Sequence, residues 1–246
     1  MSNKTEITMA MLMAMQPSHH LLYIKSRVMK RALDDPNFGL KKPIDDKELE
    51  LLTRELLRIE IIATTIHYAE VFASRLLAMK KYKRFHKFLL EYYPSEIIKF
   101  YKNMNKKNNS YVSSLLQYPR MSRILPNESK KEIEKSVRDV RLELNKLAKF
   151  YLKWHDFYNS YKHGFRVFAS KPNPYDDFTL AGYITDPKSL NSFQVRLTND
   201  KIEEALDYCD FMFKILSTTE DIFIQHKIRK NNKMKITVFV KNRRRK

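Results

Sequence analysis

Asp156, Asn159 and His163 are spaced three and four residues apart, and His155, Lys162 and Arg166 border them. On a helix these spacings line one stripe, so an acid, an amide, two imidazoles and two cations would share a face. Such a set can bind a phosphate and offer His163 as a general acid or base, because imidazole exchanges its proton near neutral pH. A purely solvated helix face carries the same residue types. Glu70 poses a different question. It falls among the apolar positions Ile59, Ala63, Ile66, Ala73 and Leu77, and a buried carboxylate is costly unless paired or hydrogen-bonded. A cation or amide from a neighbouring helix is expected to meet it, most simply as a structural bridge. Glu60, Thr64 and His67 flank it on a second polar stripe.

The elements that must position these groups read as helices. Ile133, Val137, Val140, Leu144, Leu147, Tyr151, Trp154, Tyr158, Tyr161, Phe165 and Phe168 alternate steps of four and three, a sustained heptad seam opened by a capping box at Ser129 and Glu132. Another long helix is expected from Asp45, capped with Glu48, along Leu49, Leu52, Leu56, Ile59, Ala63 and Ile66; it extends or bends through Phe88 to Tyr93 until Pro94 interrupts it. A first helix spans about Ile7 to Leu33 and stops at the turn cluster Asp35-Pro36-Asn37-Phe38-Gly39. Residues 103–128 suggest a loop or short irregular helices. Phe178 to Ile184 and Phe193 to Thr198 read as two strands of a hairpin, and a last helix capped by Asp200 and Glu203 runs to about Gln225. The expected class is mainly α: a helical bundle with long antiparallel helices and a small β-hairpin insertion near 178–198. Residues 1–229 form that domain and 230–246 a basic C-terminal tail.

Composition narrows the function. Three glycines argue against phosphate-cradling glycine loops and against an all-β fold. The single cysteine, Cys209, rules out a disulfide framework within the chain and a cysteine-based zinc site, and points to a reducing, cytoplasmic setting. No metal or cofactor is expected, and the His19-His20 pair is expected to be exposed to solvent. The apolar stretch from Met9 to Met15 is preceded by Glu6 and followed by Gln16-Pro17, unlike a secretory signal, and no run approaches the ~18 residues of a membrane span.

The formal net charge is +19, and part of it is clustered. Lys227 to Lys246 holds ten Lys or Arg without an acid, and Lys80 to Lys107 is opposed only by Glu91 and Glu96. Clustered cations attract polyanions by steering and counterion release, so RNA or another nucleic acid is the expected partner. A lysine-rich solubilising surface and an acidic protein partner are the alternatives; the tail lacks the amphipathic face that membrane docking needs. Around Arg84-Phe85-His86, the aromatics Tyr82, Phe88, Tyr92 and Tyr93 could stack bases of a single strand or pack in the core.

The run Phe157-Tyr158-Asn159-Ser160-Tyr161-Lys162-His163-Gly164 resembles the signature helix of HEPN-like proteins, small helical bundles of prokaryotic defence and toxin systems, in its Asn-x-x-Lys-His-Gly form. The likeness covers this helix and, loosely, the preceding long helix with its buried acid. It implies a homodimer, a cognate antitoxin or other partner protein, and metal-independent endoribonuclease chemistry. Asn159 and His163 match the pattern, while the family's Arg position falls on Tyr158. By this resemblance, His163 would transfer the proton, Asn159 would orient a phosphate oxygen, and Lys162 or Arg166 would stabilise developing charge. His155 and Asp156 would border the bound RNA. A fold that keeps the helices but only binds nucleic acid or protein is the alternative.

Overall fold

The computed structural model describes residues 18–81, 94–118, 127–163, 167–169, 178–186 and 191–224. The expectations for residues 7–17, for the 82–93 segment, for Phe165 and Arg166, and for the basic tail lie outside the described residues. Within them the chain is mainly helical, with a small antiparallel sheet: α1 (Ser18–Asp34), α2 (Lys47–Lys80), α3 (Pro94–Lys102), α4 (Asn109–Leu115), α5 (Asn127–Lys162), β1 (Val167–Ala169), β2 (Phe178–Asp186), β3 (Asn191–Thr198) and α6 (Asn199–Phe223).

Local chemistry sets the helix ends. After α1, Gly39 takes φ +80°, the left-handed region that glycine enters without a Cβ penalty. Asp35 Oδ1 accepts from Asn37 N–H, and Asn37 Oδ1 accepts from Ile44 N–H at 2.7 Å, closing the loop into α2. The α2 cap is Asp46 rather than Asp45: its Oδ1 accepts from the N–H groups of Glu48 at 2.8 Å and Leu49 at 3.3 Å. Pro94 opens α3, because the first helical position needs no N–H. Of the 103–128 region, for which a loop or short irregular helices were the alternatives, the described residues form a 3-10 turn at Met104–Lys106 and α4.

The heptad positions of α5 are buried from Ile133 through Tyr158, with Val140, Leu144, Leu147 and Tyr151 fully enclosed. Burying each such side chain contributes about 1.5–3 kcal/mol. The helix opens at Asn127, so Ser129 lies inside it, and it closes at Lys162 rather than continuing to Phe168. Phe168 instead sits in β1, a third strand added to the expected hairpin. It is paired with Gly182 of β2, and a Cβ at Gly182 would collide with its ring, so the missing side chain makes room for the aromatic. β2 and β3 pair in register from Phe178 opposite Thr198 to Ile184 opposite Ser192. No loop separates β3 from α6, which starts at Asn199, one residue before the expected Asp200 cap.

The predicted stripe of α2 is only partly core. Ile59, Ala63 and Ile66 are buried, whereas Leu49, Leu52 and Leu56 face solvent. The chain divides into two compact units, one of residues 20–69 with 153–210 and the other of 1–19, 70–152 and 211–246. The boundaries fall within α1, α2, α5 and α6.

Candidate functional site

The last turns of α5 carry the polar strip, and their anchorage comes from the aromatic side of the same helix. Trp154, Phe157 and Tyr158 are buried. Phe157 meets Tyr183 of β2 edge-on at 5.6 Å between ring centres, and Ser160 Oγ donates to the Ile184 carbonyl at 2.9 Å. Both contacts hold the end of α5 against the sheet. Asp156 and His163 are exposed, and Asn159 is half-buried.

The closest polar contacts in the strip centre on His155 rather than His163. Asn159 Nδ2 lies 3.2 Å from His155 Nδ1 and 3.4 Å from Nε2. Near-equal distances to both ring nitrogens place the amide beside the ring without committing it to one nitrogen. Asp156 Oδ1 stands 3.4 Å from His155 Nδ1, but its side chain is 74% exposed, so solvent screens the pair. His163 follows α5, and its N–H donates to the Asn159 carbonyl at 3.4 Å. Lys162 folds back so that Nζ lies 4.2 Å from the centre of the Tyr158 ring. Thus His155, Asp156 and Asn159 come together, while Lys162 packs on Tyr158. Arg166 lies outside the described residues.

A second group in the same unit was visible in the sequence only as fragments. Tyr161 OH donates to Glu60 Oε2, and Glu60 Oε1 accepts from Lys25 Nζ at 2.5 Å. Burial, then the hydrogen bond to Glu60, pushes the Tyr161 phenol well above its ordinary range, so it remains a neutral donor. The exposed His67 ring lies over Tyr158 at 6.2 Å, and Tyr158 stacks on Tyr161 at 6.3 Å. Glu60 and His67 belonged to the polar stripe of α2, and Tyr161 to the seam; periodicity gave no sign that the two meet.

Glu70 is buried, as expected, and a phenol meets it, a partner that the helical pattern did not suggest. Tyr151 OH donates to Glu70 Oε1 at 3.4 Å, and the Tyr101 ring stacks on Tyr151 at 4.3 Å. Burial and the neighbouring Tyr151 and Glu70 push the Tyr101 phenol well above its ordinary value. This is an interhelical polar bridge. His19 corrects a further expectation: it is buried, with Nδ1 3.3 Å from Arg75 Nη1 and 3.6 Å from Glu220 Oε2. Arg75 donates to Glu220 Oε1 at 2.5 Å.

Among the described residues, no group of three His, Cys, Asp or Glu side chains is placed to hold a metal ion, and no helix is long and apolar enough to cross a membrane. Comparison with protein-family models, curated proteins and solved structures finds no match to the chain.

Proposed function

We propose that this chain is an RNA-associated, HEPN-like helical bundle that binds the phosphate backbone at the end of α5. The observation that carries this is the pairing of a half-buried amide with an imidazole, Asn159 beside His155, next to the Lys162 ammonium held over Tyr158. Cations around the same unit add to the attraction: Arg196 lies over Phe178 at 4.3 Å, and Lys153 and Lys201 lie 5.6 and 6.0 Å from the Trp154 ring centre. In a homodimer two such strips would line one groove, and a cognate partner protein would cover it.

A second reading, metal-independent endoribonuclease activity, is favoured by the two imidazoles that flank Asn159. His155 and His163 each stand four residues from it, about 6 Å along the axis on either side. A phosphate over Asn159 would lie within reach of both. One imidazole would take the 2′-hydroxyl proton as that oxygen attacks phosphorus; the other would protonate the departing 5′-oxygen, leaving a 2′,3′-cyclic phosphate. Against it stands Tyr158, buried in the seam at the position where the family carries Arg.

The test is single-stranded RNA binding and cleavage in the presence of a chelator, with the wild type and with His155→Ala, Asn159→Ala, Lys162→Gln and His163→Ala. Weaker binding in the Lys162 and Asn159 variants supports the binding site, and unaltered binding in all four sinks it. Cleavage that either histidine variant abolishes supports the enzyme reading; absence of cleavage by the wild type refutes it.

A further inference from the structure

Positive charge also gathers where α2 ends, in the compact unit that does not contain the end of α5. Lys80 is the last residue of α2, Lys81 follows it, and Lys107 directly follows the 3-10 turn. Lys80 Nζ lies 3.4 Å from the centre of the Tyr111 ring, and Lys107 Nζ lies 4.7 Å from the same centre. Local hydrogen bonds fix the scaffold. Tyr111 N–H donates to Asn108 Oδ1 at 2.9 Å, and Lys107 N–H donates to the Met104 carbonyl at 3.0 Å.

This arrangement is short of negative charge. No carboxylate among the described residues comes within ion-pair distance of Lys80 or Lys107, and Lys81 makes an exposed pair with Glu96 at 3.5 Å. The helix dipole favours lysines at the end of α2 but does not account for Lys107 converging on the same ring. Burial, followed by the charges of Lys107 and Lys81, lowers Lys80 from its ordinary value. Burial raises Tyr111, so the phenol stays neutral and cannot act as the counterion. The ring face compensates the two ammoniums only in part.

We propose that Lys80 and Lys107, positioned by Tyr111, bind a phosphate group at a site separate from α5. The two ring distances bound the separation of the ammonium nitrogens at about 8 Å. A phosphate accepting hydrogen bonds of about 2.8 Å from both, on two different oxygens, bridges them from one side of the ring, at a separation below that limit. Lysine ammoniums act as point charges on a phosphate and demand no fixed orientation of the strand. The phosphate can come from an RNA backbone or from a free oligophosphate.

The experiment uses the full chain and the Lys80→Gln/Lys107→Gln double variant. A single-stranded RNA oligonucleotide is titrated across a range of salt concentrations, and tripolyphosphate is titrated calorimetrically. With RNA as the source, affinity at low salt falls about tenfold, and the slope of log K against log salt shrinks by about 0.7, the share of the one phosphate no longer neutralised. Lys80→Arg/Lys107→Arg restores the slope. Loss of tripolyphosphate binding with RNA binding intact assigns the site to free oligophosphates. Wild-type affinity and slope for RNA together with wild-type tripolyphosphate binding overturn the proposal. Lys162→Gln keeps the two sites apart: weakened RNA binding there, beside a double variant unchanged in both titrations, leaves only the α5 site, and the converse leaves only this one. Unchanged circular dichroism melting shows that each variant folds.

Discussion

The buried Arg75–Glu220 pair makes the fold sensitive to pH in a direction opposite to that of most ion pairs. Two effects compete at Glu220. Arg75, donating at 2.5 Å, favours the carboxylate, whereas burial, with the Glu220 side chain 8% exposed, favours the neutral acid. Burial wins: it pushes the Glu220 carboxyl from 4.5 to about 7, with Asp221 adding to the rise. Between those values the folded chain holds a proton that the unfolded chain has released. The resulting stability is fully present below pH 4.5 and is lost as the pH rises through 7. Such a difference in proton affinity is worth about 3 kcal/mol. Glu220→Gln keeps the shape of the neutral acid and removes the titration. In urea unfolding from pH 4.5 to 8, the wild type should therefore lose about 3 kcal/mol relative to the variant. Repeating the comparison in a His19→Asn background removes the neighbouring imidazole from the difference. Parallel stability curves would refute the reasoning, since Glu220 would then titrate normally. A wild type that gains on the variant as pH rises would show that Arg75 outweighs burial.

The α5 seam and the Glu70 bridge give two further expectations. Leu144→Ala, at a fully buried heptad position, should cost about 2–5 kcal/mol in urea unfolding; a loss below about 1 kcal/mol would mean that the seam repacks. Tyr151→Phe withdraws a hydroxyl from the buried Glu70 carboxylate and should cost about 1–3 kcal/mol in the same measurement, whereas an unchanged midpoint would show that the bridge is energetically idle.

Much of the helical framework was legible because one periodicity dominates each long helix. Eight seam positions from Ile133 to Tyr158 are buried at the expected heptad spacing, so their phase needed no tertiary information. The ends of that seam were less legible. Tyr161, Phe165 and Phe168 continue the heptad in sequence, yet the helix closes at Lys162, and Phe168 packs across Gly182 in a strand. A three-residue strand has too few positions to show alternation, and its glycine partner belongs to a different strand further along the chain. Likewise Leu49, Leu52 and Leu56 fit the α2 stripe, but periodicity cannot reveal that the first turns of a long helix stay open to solvent. His19 shows the opposite failure: a terminal histidine reads as solvated until Arg75 and Glu220, both distant in sequence, enclose it.

At the end of α5, helical spacing placed Asp156, Asn159 and His163 on one strip but could not rank its imidazoles. The HEPN-like pattern that the run resembles favours His163. Helical geometry puts His155 equally far from Asn159 in the other direction, and the side-chain contacts join Asn159 to His155. The imidazoles consequently differ in their surroundings. His155 is partly enclosed, with the Asn159 amide beside its ring and the exposed Asp156 next to it. His163 is exposed just past the last helical residue. If the strip does chemistry, the two imidazoles have complementary duties and both are required. If it only binds, the charge on Lys162 matters more than either imidazole, and the histidine variants will separate from the lysine variant in both affinity and salt dependence.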